Sequence, residues 1–170
     1  NKAEKACVFD LNMEGSGCGS LMIKNGGFRE LSCKGTTSNP LLAMSGLDIY
    51  NKAMKFAPEC VENVLTYADK SKSDISGFIF HQANDFVIRN LTKKLDLDPA
   101  KVPLGIVGKY GNSGPSSIPT TICSSYFGKS LKKTSDFLLC GFGTGFSWAS
   151  CILSLSESKI LKLNVLENNE

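Results

Sequence analysis

Histidine is nearly missing from this chain, which has one, at position 81, among 170 residues. That scarcity excludes any zinc site built from two histidines and two cysteines. CxxC pairs are also missing despite seven cysteines, so an all-cysteine zinc site has no support. No apolar run approaches the roughly 20 residues that a membrane helix needs, and the first residues lack the layout of a secretory signal peptide. An excess of one charge is absent too. Nineteen Lys plus Arg against 16 Asp plus Glu leave +3, spread along the chain, which gives nucleic acid no footprint. The odd cysteine count points to reduced thiols in the cytoplasm, most of them small core residues. Internal repeats, linkers and low-complexity tracts are lacking. What remains is ordinary globular composition, 42% hydrophobic and 21% charged. One domain of this length buries roughly two-thirds of its unfolded surface.

The hydrophobic pattern predicts strands at Ala6–Leu11, Leu21–Ile23 and Phe28–Cys33, with a glycine turn at 15–19 and an Asn25-Gly-Gly hairpin between the last two. Lys34–Pro40 reads as a loop. From Gly46 to about Asp69 the period becomes helical: Ile49, Ala53, Phe56, Cys60, Val64 and Ala68 share a face, and Pro58 is expected to kink or divide the helix. Gly77–Phe80 is a short buried strand, followed by a helix from about Asn84 to Leu95 with Val87, Ile88, Leu91 and Leu95 inward. Lys101–Gly108 is a strand candidate and Pro115–Leu131 a helix, its prolines tolerable only in the opening turn. Asp136–Phe142 and Phe146–Leu155 are two closing strands around Gly143-Thr-Gly. The resulting order, β-β-β-α-β-α-β-α-β-β, indicates an α/β layered fold with a mixed sheet of about five strands and flanking helices. Residues 156–170 form a tail, in which Ile160–Leu166 could add an edge strand.

Three polar spots interrupt the apolar segments. His81 stands directly after a buried strand in FIFHQAN, at the carboxyl end where sites form in open α/β sheets; a histidine satisfied by nearby backbone is the plainer reading. Tyr110-Gly-Asn-Ser-Gly-Pro-Ser-Ser precedes a helix and serves equally as a cap and turn. Gly141-Phe-Gly-Thr-Gly-Phe-Ser-Trp is explained as a bare hairpin, although its glycines also let backbone N–H groups approach a ligand.

Taken together, HQAN at 81–84, GNSGPSSIP at 111–119 and GFGTGFSW at 141–148 closely resemble beta-ketoacyl-acyl-carrier-protein synthase III, of the thiolase superfamily. The likeness runs from about Ala6 to Leu155 and includes Ser45-Gly-Leu-Asp-Ile-Tyr. It implies a thiolase-like layered fold, of which residues 1–155 are the carboxyl-terminal half. The family's nucleophilic cysteine lies in the other half, so the chain reads as an expressed fragment, a proteolytic product or a split subunit. Alone, it is expected to be inactive and to expose an apolar face that drives dimerisation or aggregation.

The activity implied is decarboxylative Claisen condensation of an acyl thioester with malonyl-acyl carrier protein, in fatty acid biosynthesis. No cofactor or metal is implied; acyl-CoA and malonyl-carrier thioesters are substrates. By resemblance, His81 and Asn112 are the catalytic donors that stabilise the thioester oxyanion as carbon dioxide leaves. Phe142 keeps the pocket apolar, and the backbone N–H of Thr144, where relatives commonly carry glycine, completes a second oxyanion hole. Asn84 contacts the pantetheine arm. Lys93 and Lys94 dock the acyl carrier protein, or form a solvated helix face. Phe86 departs from the family arginine at its position, and Asn51 from a family lysine, with Lys52 adjacent. The implied partners are the carrier protein or a CoA thioester, the amino-terminal half and, when complete, a second copy in a homodimer, with no nucleic acid or membrane. Cys140, near the pocket, reads as a buried core thiol. The alternatives are another condensing enzyme of the superfamily, hydroxymethylglutaryl-CoA synthase-like or polyketide-type, which the GNS block disfavours, and a non-catalytic acyl-thioester-binding module.

Overall fold

The computed structural model describes residues 7–23, 42–132, 135–156 and 158–164. In chain order its elements are β1 (Val8–Met13), β2 (Leu21–Ile23), β3 (Leu42–Met44), α1 (Gly46–Tyr67), β4 (Ile75–Phe80), α2 (Asp85–Lys94), α3 (Ile106–Tyr110), α4 (Ser117–Tyr126), β5 (Asp136–Gly143) and β6 (Ser147–Ser154). Four strands make one mixed sheet in the order β1-β6-β5-β4, and β2 and β3 form a separate antiparallel ribbon. No helix among the described residues is long and apolar enough to cross a membrane.

The centre of the sheet follows from composition. In β4 every residue except Ser76 is buried, as a strand covered on both faces requires, and it pairs parallel with β5. The β5–β6 and β6–β1 pairs are antiparallel. One face of the sheet is covered by α1, through Ala53, Ala57, Val61 and Val64 against Phe78, Leu138 and Ile152. The predicted stripe on α1 is confirmed: Ala53, Cys60 and Val64 are buried, and Ile49, Phe56 and Ala68 are half-buried. On α2, Val87, Ile88 and Leu91 are buried as expected, with Leu95 following at its end. Asn84 caps this helix by accepting the Val87 N–H at 2.9 Å.

Four expectations are corrected. The 22-residue helix α1 is not divided at Pro58. Proline lacks the N–H that would bond the Met54 carbonyl four residues earlier, and the Lys94 ammonium donates to that carbonyl instead, at 2.7 Å. The Lys101–Gly108 segment is not a strand. Asp98 caps a short 3-10 turn by accepting the Ala100 N–H, and α3 begins after Gly105, which stands at φ 77°. The helix expected through Leu131 ends at Tyr126, close to Gly128 at φ 71°. Residues 158–164 carry no strand. In addition, β2 pairs with Leu42–Met44, a strand the pattern did not indicate. The expected Asn25-Gly-Gly turn, Phe28–Cys33 strand and Lys34–Pro40 loop lie outside the described residues.

The second face of the sheet is only partly covered. There α4 lies over β4 and β5, with Tyr126 edge-on to Phe137 at 4.9 Å and Ile118 over Gly141. Leu11 shares that face through the register Leu11–Ala149–Gly141, yet Leu11 is 71% and Met13 76% exposed. Phe9, Leu11 and Met13 alternate on β1, so they form an apolar strip beside α4 that the described residues leave open. The covered part is tight. A Cβ on Gly77 would meet the Tyr126 hydroxyl and the Phe137 ring. Gly77→Ala is therefore expected to destabilise the fold by about 1–3 kcal/mol, the usual cost of overpacking, measured by urea unfolding; an unchanged midpoint would show that Tyr126 swings away freely.

Candidate active site

The parallel β4–β5 ladder continues one residue past β4: the His81 N–H donates to the Cys140 carbonyl at 2.8 Å. This fixes the histidine backbone beside the end of β5. The imidazole meets Phe142 edge-on, with ring centroids 5.5 Å apart and planes at 83°. Its Nδ1 lies 2.7 Å from the Ser117 hydroxyl at the start of α4. Burial holds the imidazole below its ordinary value of 6.5, and hydrogen bonding with the Gly114 backbone works the other way. At neutral pH the ring is therefore uncharged, and one of its two nitrogens carries a proton.

Asn112 sits in the loop between α3 and α4. The preceding Gly111 has φ 71° and ψ −178°, a conformation essentially restricted to glycine, and it turns the chain back toward β5. The Asn112 side chain is fastened by its oxygen, which accepts the Gly114 N–H at 3.1 Å, so its two N–H groups are the ones offered outward. Phe142 is buried near the end of β5. Thr144 occupies the β5–β6 turn, where its carbonyl accepts the Ser147 hydroxyl at 2.8 Å.

These four residues line one cleft. His81, Asn112, Phe142 and Thr144 share a cavity of about 800 Å³, with Leu11 and Leu42 also on its wall. Asn84, Lys93 and Lys94 lie outside its lining. The Asn84 side-chain oxygen is occupied as the α2 cap. Lys93 is exposed in the last turn of α2, and Lys94 is bound to Met54. A smaller hollow of about 360 Å³, beside Cys7, Tyr67 and Lys70, contains none of the candidate site residues read from the sequence. In it Lys70 pairs with Asp136 at 3.0 Å.

Two residues at the site carried no recognisable signal. Ser117, inside the GNSGPSSIP block, became visible as a histidine partner only once α4 was placed against β4. Gln82 is fully buried; its amide donates to the Phe80 carbonyl at 3.1 Å, and its Oε1 has no partner among the described residues. As for the thiols, Cys140 is fully buried and burial pushes it well above its ordinary value. Burial likewise raises Cys151, and lifts Cys60 to about 12. None of these three is poised as a nucleophile at neutral pH.

A base whose pKa falls on folding binds its proton more readily in the unfolded chain, so protonation works against the fold. His81 is expected to titrate below 6.5, and its contribution to stability to be lost as pH falls through 6.5 toward that midpoint. An NMR titration of the single imidazole, with urea unfolding above and below that range, checks both; a midpoint above 6.5 would contradict the burial argument.

The site has relatives. The family described as 3-oxoacyl-(acyl-carrier-protein) synthase III C terminal matches residues 65–155, a little over half of the chain. A beta-ketoacyl-(acyl-carrier-protein) synthase III of Clostridioides difficile is 32% identical over 145 residues, 84% of this chain and 44% of that protein. One from Helicobacter pylori is 35% identical over 127 residues, 75% of this chain and 38% of that protein. The crystal structure of a 3-oxoacyl-(acyl-carrier protein) synthase from Burkholderia xenovorans superposes with a TM-score of 0.73 at 31% identity, over 85% of this chain and 43% of that one. The chain thus spans less than half the length of these relatives. Its thiolase-like α/β fold and the match through both strands of the central hairpin agree: the chain belongs to the 3-oxoacyl-(acyl-carrier-protein) synthase III family, of which it represents the carboxyl-terminal part.

Proposed function

We propose that this chain supplies the decarboxylation half of an acyl-condensing active site, which joins an acyl thioester to a malonyl-carrier thioester in fatty acid biosynthesis. The observation that carries this reading is the convergence of a neutral imidazole and a tethered amide on one apolar-walled cleft. As malonyl thioester loses carbon dioxide, an electron pair moves into the thioester and negative charge gathers on its oxygen. Two N–H donors held in place beforehand stabilise that charge without reorganising. His81 is one donor and Asn112 the other. Neither needs to change protonation state: an amide cannot titrate near neutrality, and burial holds His81 neutral.

The buried Phe142 against the imidazole supports the electrostatics. An apolar wall disfavours the charged malonyl carboxylate and favours neutral carbon dioxide, which is the direction required. Thr144 would offer its backbone N–H to the acyl-enzyme carbonyl. The nucleophilic cysteine belongs to an amino-terminal half of the same fold, consistent with the raised values of Cys60, Cys140 and Cys151. That half would cover the open strip of Phe9, Leu11 and Met13. The carrier protein is the expected donor of malonyl groups. Lys93, exposed in the last turn of α2, would meet it, whereas Lys94 would have to leave the Met54 carbonyl.

In the complete enzyme, His81→Ala and Asn112→Ala are each expected to slow malonyl-thioester decarboxylation by about 10²–10³-fold, the cost of one oxyanion donor. Acylation of the upstream cysteine should survive in both variants. Undiminished carbon dioxide release, followed by mass spectrometry, would sink the assignment. Without its other half, the chain should form dimers or larger species in sedimentation velocity, and Leu11→Ser with Met13→Ser should shift it toward monomer. A monodisperse wild-type monomer at high concentration would argue against an uncovered apolar face.

A further inference from the structure

We propose that Ser117 is a positioning residue: its hydroxyl donates to Nδ1 of His81 and fixes the ring, which lines the cleft, as the tautomer with its proton on Nε2. The inference rests on the reading of His81 as a donor to a thioester oxygen, and it names the atom that donates.

Hydrogen-bond accounting carries it. A serine hydroxyl has one proton to give and two lone pairs to receive. At Ser117, the Gln82 N–H already points at the oxygen from 3.2 Å, and Nδ1 of His81 lies 2.7 Å away. That ring nitrogen is the one acceptor that the described residues bring to this hydroxyl. With Nδ1 protonated, Ser117 would receive two protons and its own would point at nothing, in a residue only 1% exposed. A buried donor left without a partner is among the costlier defects in a fold. With the hydroxyl donating, the Gln82 N–H, the hydroxyl proton and Nδ1 are all satisfied at once. Nε2 then carries the single proton of a neutral ring, the one N–H the ring has to offer to the Gly114 backbone and to the cleft.

The surroundings prevent the ring from reversing this choice. The His81 backbone is tied to Cys140, and Phe142 meets the ring edge-on. Ser117 is held in its turn by α4, where the buried Thr121 hydroxyl donates to the Ser117 carbonyl at 2.7 Å. Turning the imidazole over would place a C–H against the serine hydroxyl and lose the bond. The stretch from Asn112 to Ser117 therefore supplies both the second donor and the group that orients the first.

His81 is the only histidine, so 15N-histidine incorporated into the full chain reports one imidazole. Above its titration range, long-range 1H–15N correlations are expected to show Nε2 protonated and Nδ1 bare. Ser117→Ala is expected to lose this single-tautomer pattern, and Ser117→Thr, which keeps the hydroxyl, to retain it. A wild-type ring protonated on Nδ1 overturns the proposal, and so does a Ser117→Ala ring indistinguishable from wild type. If Ser117→Ala does not fold, Ser117→Cys, of similar size but a weak donor, replaces it with the same two outcomes. The tautomer is read without turnover. A chain that passes this test yet belongs to an enzyme that cannot decarboxylate malonyl thioesters would refute the condensation reading and leave the role of Ser117 standing.

Discussion

The parallel pairing of β4 with β5 is the constraint on which the rest of the site depends. Both strands are heavily buried, so their register cannot slip without moving large apolar side chains out of the core. Once Phe80 stands opposite Cys140, the next backbone bond puts His81 at the end of the ladder and brings Phe142 within ring contact. The hairpin from β5 to β6 then delivers Thr144 to the same cleft. Four residues spread over more than sixty positions of sequence are thus gathered by one ladder and the loop that packs on it.

The chemistry proposed for the cleft depends on its donors remaining neutral. A charged imidazole would be hydrated and would hold an anion; a neutral one, half-buried against Phe142, offers an N–H and little else. Asn112 reaches the same condition by other means, since its oxygen is spent on the Gly114 N–H and only its donors remain. Polar side chains around the cleft are thus held by neighbours that leave a chosen atom free. Gln82 is the exception, with a buried oxygen that no described residue satisfies.

Lysine 94 shows how a residue can be assigned one role by pattern and another by packing. Its position resembles a basic docking site, and it also meets the carbonyl that Pro58 leaves without a helical partner. The bond joins the end of α2 to the middle of α1 and accounts for a proline being accommodated inside a 22-residue helix. Nothing local to Pro58 signals this, because the compensating group lies forty residues beyond Met54.

The sequence by itself determined the order of the main elements, the buried faces of α1 and α2, and the three blocks that contain His81, Asn112, Phe142 and Thr144. The first two depend on local periodicity, which a linear reading reaches; the blocks stand out by their resemblance to the synthase family when taken together. It missed Leu42–Met44 as a strand, because three residues carry too little alternation to register, and it took Lys101–Gly108 for a strand where glycine and an Asp98 cap set up turns of helix. Only the tertiary structure decided that Ser117 faces His81, that Lys94 meets Met54, and that Asn84 has its oxygen committed to a helix cap. Each of these is a choice of hydrogen-bond partner among several that the sequence allows. A buried polar group takes whichever partner packing brings within reach, and that is known only when the helices lie on the sheet.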